Sequence, residues 1–239
     1  LERLVFNNRL KVIFICAAVT LFLVFQAVQM RPQTSFEKMI PLNHPFIVNM
    51  MENREDLGGG NSIRISLEAK DGDIFNKEYM ETLRQIQDEL FYMPGVERAG
   101  LRSLWSAGVR WIEITEEGFT GGEVIPQTYN GDAQSLEVLR NNLLKSGQIG
   151  RMVANNFKSS IIEVPLLEVY PGPEDKGKLL NLDYQAFSHR LGKQIRDKYQ
   201  AQNPNVQVHI VGFAKKVGDL IDGLTMVVTF FFAAFMITL

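Results

Sequence analysis

The chain has 239 residues, with 25 Lys+Arg against 27 Asp+Glu and a net charge of −2. That near balance, with both signs interspersed, excludes the basic footprint of a nucleic-acid binder. The single cysteine, Cys16, excludes an internal disulfide and any cysteine-based metal site.

Val12–Met30 is apolar apart from Thr20, Gln26 and Gln29. At ~19 residues it matches the ~20 needed to cross a bilayer as a helix. It has no polar stripe of the kind that marks an amphipathic core helix. It is longer than a signal-peptide apolar core, and QAVQMRP is a poor cleavage site, so the reading is a retained span. The flank before it carries Arg3, Arg9 and Lys11 against Glu2, which predicts that residues 1–11 lie in the cytoplasm.

Residues 31–60 read as a connector broken by Pro32, Pro41 and Pro45 and closed by Gly58, Gly59 and Gly60. The triple glycine lacks the Lys and Ser/Thr that complete a phosphate loop. In NSIRISLEA, Ile63, Ile65 and Leu67 alternate with polar residues, the period of a half-buried strand. Phe75, Tyr79, Leu83, Ile86 and Leu90 then recur at three- and four-residue spacings and predict an amphipathic helix, stopped by Met93, Pro94 and Gly95.

VERAGLRSL and VRWIEIT follow as strand candidates, and the glycine-rich stretch 116–131 reads as loop. Asp132 is a predicted N-cap for a helix through Leu136, Leu139 and Leu143. GRMVANNF and SSIIEVPLLEV predict two strands, with Pro165 marking an edge or a bulge. Tyr184, Phe187, Leu191, Ile195 and Tyr199 mark a third helix. VQVHIVGF is a last strand, and it runs almost directly into a second apolar run.

These elements predict a membrane protein with transmembrane α-helices and an α+β periplasmic domain. Helices covering one face of a mostly antiparallel sheet is the expected packing, and a ferredoxin-like (split β-α-β) sandwich fits the order best. The expected divisions are 1–11 cytoplasmic, 12–30 first span, 31–60 connector, 61–213 soluble domain and 214–239 the start of a second span. The chain begins with Leu and stops mid-span, so a longer parent protein is expected.

Three segments are similar to parts of resistance-nodulation-division (RND) exporters, in the hydrophobe-exporting, MmpL-like branch. FEKMIPLNHPF resembles the segment after the family's first span. YMPGVERAGLRSL resembles a strand of its porter subdomains, and VGFAKKVGDLIDG resembles the start of its second span. The resemblance implies a proton-driven secondary transporter, not an enzyme, that moves hydrophobic, amphiphilic or lipid-like molecules out of the inner membrane or periplasm. It implies that residues ~31–218 lie in the periplasm of a bacterium. The family's proton relay sits in later spans, so none is expected in this chain. Expected partners are the remainder of the transporter, with further spans and a second periplasmic domain, and a lipid or hydrophobic substrate. A homo-oligomer and accessory periplasmic proteins remain open, and no cofactor is implied. A two-span receptor with a periplasmic ligand-sensing domain is the competing class.

Candidate substrate-path residues are Asp219 and Asp222 at the start of the second run, and the aromatic pair Trp105 and Trp111 around Gly108. The plain alternatives are acids favoured by the helix dipole and aromatics buried in a core. His44, His189 and His209 lack metal-ligand spacing, and Ser103 and Ser106 lack a hydrolase setting. Lys215 and Lys216 read as interfacial anchors or as ligands for lipid headgroups.

Overall fold

A computed structural model describes residues 9–29, 40–41, 43–53, 61–116, 118–171 and 179–238. The chain divides into two units, at Gln33/Thr34. In the first unit, helix α1 (Arg9–Gln29) is a single apolar helix of 21 residues, roughly 31 Å long. It starts three residues before the predicted span and takes in Arg9 and Lys11.

The second unit begins, among its described residues, inside the stretch read as an irregular connector. Helix α2 (Pro45–Glu52) corrects that reading. Pro45 opens this helix rather than breaking the chain, because it stands in the first turn, where its missing N–H costs nothing. His44 caps the helix, its Nδ1 accepting from Phe46 N at 3.2 Å. Gly58–Gly60 lie outside the described residues.

The core is built on a three-stranded antiparallel sheet in the order β4-β1-β7, formed by β1 (Ser62–Ala69), β4 (Ser159–Pro165) and β7 (Val206–Gly212). β1 is central and pairs Ile65 with Ile162 on one side and with Ile210 on the other. The predicted alternation holds: Ile63, Ile65 and Leu67 are fully buried, while Arg64 is exposed. Ser160, Ile162, Val164, Val206 and Val208 join them in the core. The opposite face is polar and carries cross-strand pairs, His209 Nε2 to Glu68 Oε2 at 2.9 Å and Arg64 to Glu163 at 3.6 Å.

Helix α3 (Lys77–Phe91) is capped by Asn76, whose side chain accepts from Tyr79 N at 2.7 Å. It buries Tyr79, Leu83, Ile86 and Leu90, the predicted stripe. The hydroxyl of Tyr79 donates to Leu67 O at 2.6 Å and accepts from Ser160 N at 2.9 Å, tying α3 to two strands. Burial pushes this phenol's pKa up, so it stays a neutral donor.

VERAGLRSL is not a regular strand. It meets the outer edge of β4 only through isolated bridges, Val96 with Leu166 and Arg102 with Glu163, on either side of a 3-10 turn at Arg98–Gly100. Gly100 lies against the ring of Pro165, and Pro165 has no N–H to extend a ladder. The stretch read as loop contains a strand instead. β2 (Arg110–Thr115) and β3 (Gly118–Glu123) form an antiparallel hairpin pairing Ile112 with Gly121. Its glycines hid the alternation, yet Gly121 has no room for a side chain, because a Cβ would lie 2.6 Å from Trp111 O.

Helix α4 (Ala133–Lys145) opens at the predicted cap, with Asp132 Oδ1 accepting from Ser135 N at 2.7 Å. That bond, with others from Asn130 and Ser135 side chains, holds the carboxyl of Asp132 below its ordinary range. GRMVANNF forms turns and two bridges rather than a strand. LLEV does not prolong β4; β5 (Val169–Pro171) pairs with β6 (Leu179–Asn181) in a separate ladder.

The third predicted helix is continuous but not uniform. α5 (Tyr184–Arg190) passes into a π-helical stretch, Leu191–Asp197, and then into α6 (Lys198–Gln202). Its buried residues explain the change. From Phe187 through Leu191 and Ile195 to Tyr199 every step is four residues, and each such step overshoots an α-helical turn by roughly 40°. Wider turns hold these side chains on one face. All four are buried against the sheet side of the core.

Replacing Tyr79 by Phe strands the buried N–H and hydroxyl of Ser160. The expected cost is about 1–3 kcal/mol, seen as a fall in thermal midpoint of about 2–4 °C per kcal/mol. An unchanged midpoint would show that the hydroxyl does not tie α3 to the sheet.

Candidate functional site

The second apolar run is helix α7 (Phe213–Thr238), 26 residues long and roughly 39 Å. It starts at the residue after β7 ends, with nothing in between. The handover depends on Gly212, which has φ +148° and lies against β1. A Cβ there would fall 2.7 Å from Ser62 O and 2.8 Å from Ile63 Cα, so only glycine lets the chain turn that close to its neighbour.

The first turns of α7 then pack on α5. Ala214, Val217 and Gly218 are buried, a three-four spacing on one face. Phe213 meets Tyr184 edge to face at 5.5 Å. Gly218 marks the closest approach, since a Cβ there would lie 2.8 Å from both Ser188 Oγ and Tyr184 O.

Polar groups frame this contact. Asp222 takes a hydrogen bond from Gln185 Nε2 at 2.7 Å through one oxygen and pairs with His189 Nε2 at 2.6 Å through the other. Asp219 pairs with Lys215 one turn earlier and accepts from Ser188 Oγ at 3.3 Å. Lys215 Nζ also donates to Ser188 Oγ at 3.1 Å, and Ser188 is almost fully buried. Lys215, Gly218, Asp219 and Asp222 occupy one face of α7 at positions i, i+3, i+4 and i+7. They meet Gln185, Ser188 and His189, the i, i+3 and i+4 positions of α5. Each exposed ion pair here is worth only about 0.2–1 kcal/mol. Together with the Gly218 contact, they fix the angle and register of α7 on the domain.

Asp219 and Asp222 are therefore not acids of a first helical turn. The helix begins at Phe213, which puts them in its second and third turns, beyond the reach of the dipole effect. Gln185, Ser188 and Gly218 had no sequence signal of their own. The one available cue was matched spacing on two helices that are distant in sequence.

The two tryptophans do not share a site with these acids. Trp105 is half-buried against the core. Its Nε1 donates to Met80 O at 3.0 Å, Tyr129 meets it edge-on at 5.4 Å, and Arg84 lies over its ring. Trp111 sits on the β2–β3 hairpin, with Lys145 Nζ 5.4 Å from its ring centre, and lines a shallow groove of about 450 Å³ with Gly122 and Pro126. Among the described residues, no group of three or more His, Cys, Asp or Glu side chains could hold a metal.

No protein-family model matches the chain. Over 91 residues it is 29% identical to a Methanocaldococcus jannaschii protein named "Putative membrane protein MJ1562". The aligned part covers 35% of this chain and 24% of that protein, so the chain spans about a quarter of the length of the relative it matches. Two helices here, within Arg9–Gln29 and Phe213–Thr238, are long and apolar enough to cross a bilayer. Both observations point to a membrane setting for this chain.

The packing predicts a size limit at the crossing point. Gly218→Ala should cost about 1–3 kcal/mol by overpacking against Ser188. Removing the opposing side chain in Gly218→Ala/Ser188→Gly should recover part of that loss, read as thermal midpoints of the full chain in detergent. A midpoint unaffected by Gly218→Ala would mean that α5 and α7 do not pack this closely.

Proposed function

We propose that this chain is the N-terminal portion of a proton-driven exporter of the RND type, moving hydrophobic, amphiphilic or lipid-like molecules, with α7 as its second span. The observation that carries the reading is the absence of any linker between β7 and α7, together with the clamp between α7 and α5. A domain that only displays a ligand has no need of a stiff joint to its span. A domain that must move when its span moves does.

The chain path also supports this reading. The run β1, α3, the bridged stretch Val96–Arg102, β4, α5 and β7, with β1 between β4 and β7, is consistent with a split β-α-β, ferredoxin-like order in which two bridges stand in the place of the second strand. In this reading the basic flank of α1 lies in the cytoplasm of an inner membrane and the domain stands in the periplasm. The proton-carrying acids and the second periplasmic domain belong to the remainder of the transporter.

The test is made on the full-length protein in proteoliposomes, with an imposed proton gradient and a fluorescent phospholipid as the transported probe. Gradient-dependent movement of the probe is expected. Inserting Gly-Ser-Gly-Ser between Phe213 and Ala214 should abolish that movement while leaving membrane insertion intact. Undiminished movement in the insertion variant would sink the coupling. No gradient-dependent movement by the unaltered protein would sink the exporter reading for this class of cargo.

A further inference from the structure

A second feature lies beside the helix clamp, on another face of α7. A shallow groove of about 410 Å³ is lined by Ser62 and Arg64 of β1, Val211 and Gly212 of β7, and Phe213 and Lys216 of α7. It brings two cations together from elements far apart in sequence. Arg64 is 65% exposed and has one acid in reach, Glu163 at 3.6 Å. Among the described residues, Lys216 makes no hydrogen bond or ion pair. The neighbouring Lys215 shows the contrast, being held by Asp219 and Ser188 on the clamp side. Lys216 also stands in the first turn of α7, where the helix dipole disfavours a cation. Among the described residues, the groove thus carries two cations against one acid, Glu163.

Its depth says what would supply the missing charge. From Leu220 to Thr238, Asp222 is the one charged residue of α7, and it faces Gln185 and His189 of α5, so the side of the helix below Lys216 is uncharged. Lys216 is one turn above Leu220, about 6 Å, at the end of that uncharged side, a height that headgroups reach when the side below is embedded. Directly below it, on the same side of the helix, Leu220 and Val227 are 68% and 65% exposed and offer an apolar track. Val211, 57% exposed, supplies apolar surface within the groove itself.

We infer that the groove between β1, β7 and the start of α7 binds the headgroup of an anionic phospholipid from the adjoining leaflet. Arg64 and Lys216 contact the phosphate, Ser62 Oγ donates to it, and an acyl chain lies along Leu220 and Val227. The inference rests on α7 being a span, and it holds whether or not the protein is an exporter.

The test uses the full-length protein in detergent, titrated with POPG or POPC and followed by native mass spectrometry of bound lipid. POPG should be retained at least about fivefold better than POPC, the gain expected from a basic side chain near an anionic surface. Lys216→Ala and Arg64→Ala should each remove most of that preference. Lys193→Ala, which changes charge equally at an exposed residue outside the groove and the clamp, should keep it. Equal loss in Lys193→Ala would reveal a diffuse charge effect and overturn the site. So would equal retention of the two lipids, or displacement of POPG by 10-fold lower inorganic phosphate, which would mark a free-anion site. Alkaline carbonate extraction from POPC/POPG vesicles separates the two levels. Release of the unaltered protein would overturn the span itself, whereas retention without POPG preference would overturn only the headgroup site.

Discussion

The junction at Gly212 governs the rest of the second unit. β7 is hydrogen-bonded to the central strand along its length, and its last residue hands the chain to α7 with no intervening turn. This is feasible only because a glycine with positive φ lets the backbone pass against Ser62 and Ile63. Once that handover is fixed, the next turn of α7 must fall onto α5. The residues there are then constrained in size: Gly218 is small because Tyr184 O and Ser188 occupy the space, and Ala214 is fully buried.

The clamp around that contact is built from individually weak parts. None of its ion pairs would hold two elements together in water. Their value is directional. Asp222 uses both of its oxygens on α5, and Lys215 bridges Asp219 to a buried hydroxyl, so a slide or roll of α7 would break several contacts at once. Apolar packing holds the helix to the domain, and the polar rim selects a single register.

The central strand was legible in the sequence because Ile63, Ile65 and Leu67 alternate strictly, and α3 because its stripe repeats at three and four. The direct run of VQVHIVGF into an apolar helix could also be read. The hairpin partner β3 could not, because Gly118, Gly121 and Gly122 have no side chains to alternate; Trp111 crowds Gly121 and Gly122, and Gly118 has a φ of +126°. The helix α2 was missed because a proline can break or open a helix, and at Pro45 it opens one. The opposite error occurred at Val96–Arg102, where strand-like residues meet an edge that Pro165 cannot extend. Asp219 and Asp222 stand out in the sequence as acids beside an apolar run, and the structure places them against α5. Their partners were hidden because Gln185 and His189 lie more than thirty residues earlier and meet them only through the helix crossing.

The π-helical stretch at Leu191–Asp197 has a consequence of its own. It lies immediately after the residues that grip α7, in the same continuous helix. A π turn takes in more residues than an α turn, so it offsets the face carrying Gln185, Ser188 and His189 from the face carrying Ile195 and Tyr199. One helix can therefore meet two partners, α7 through its first half and the core through its second, each with its own face.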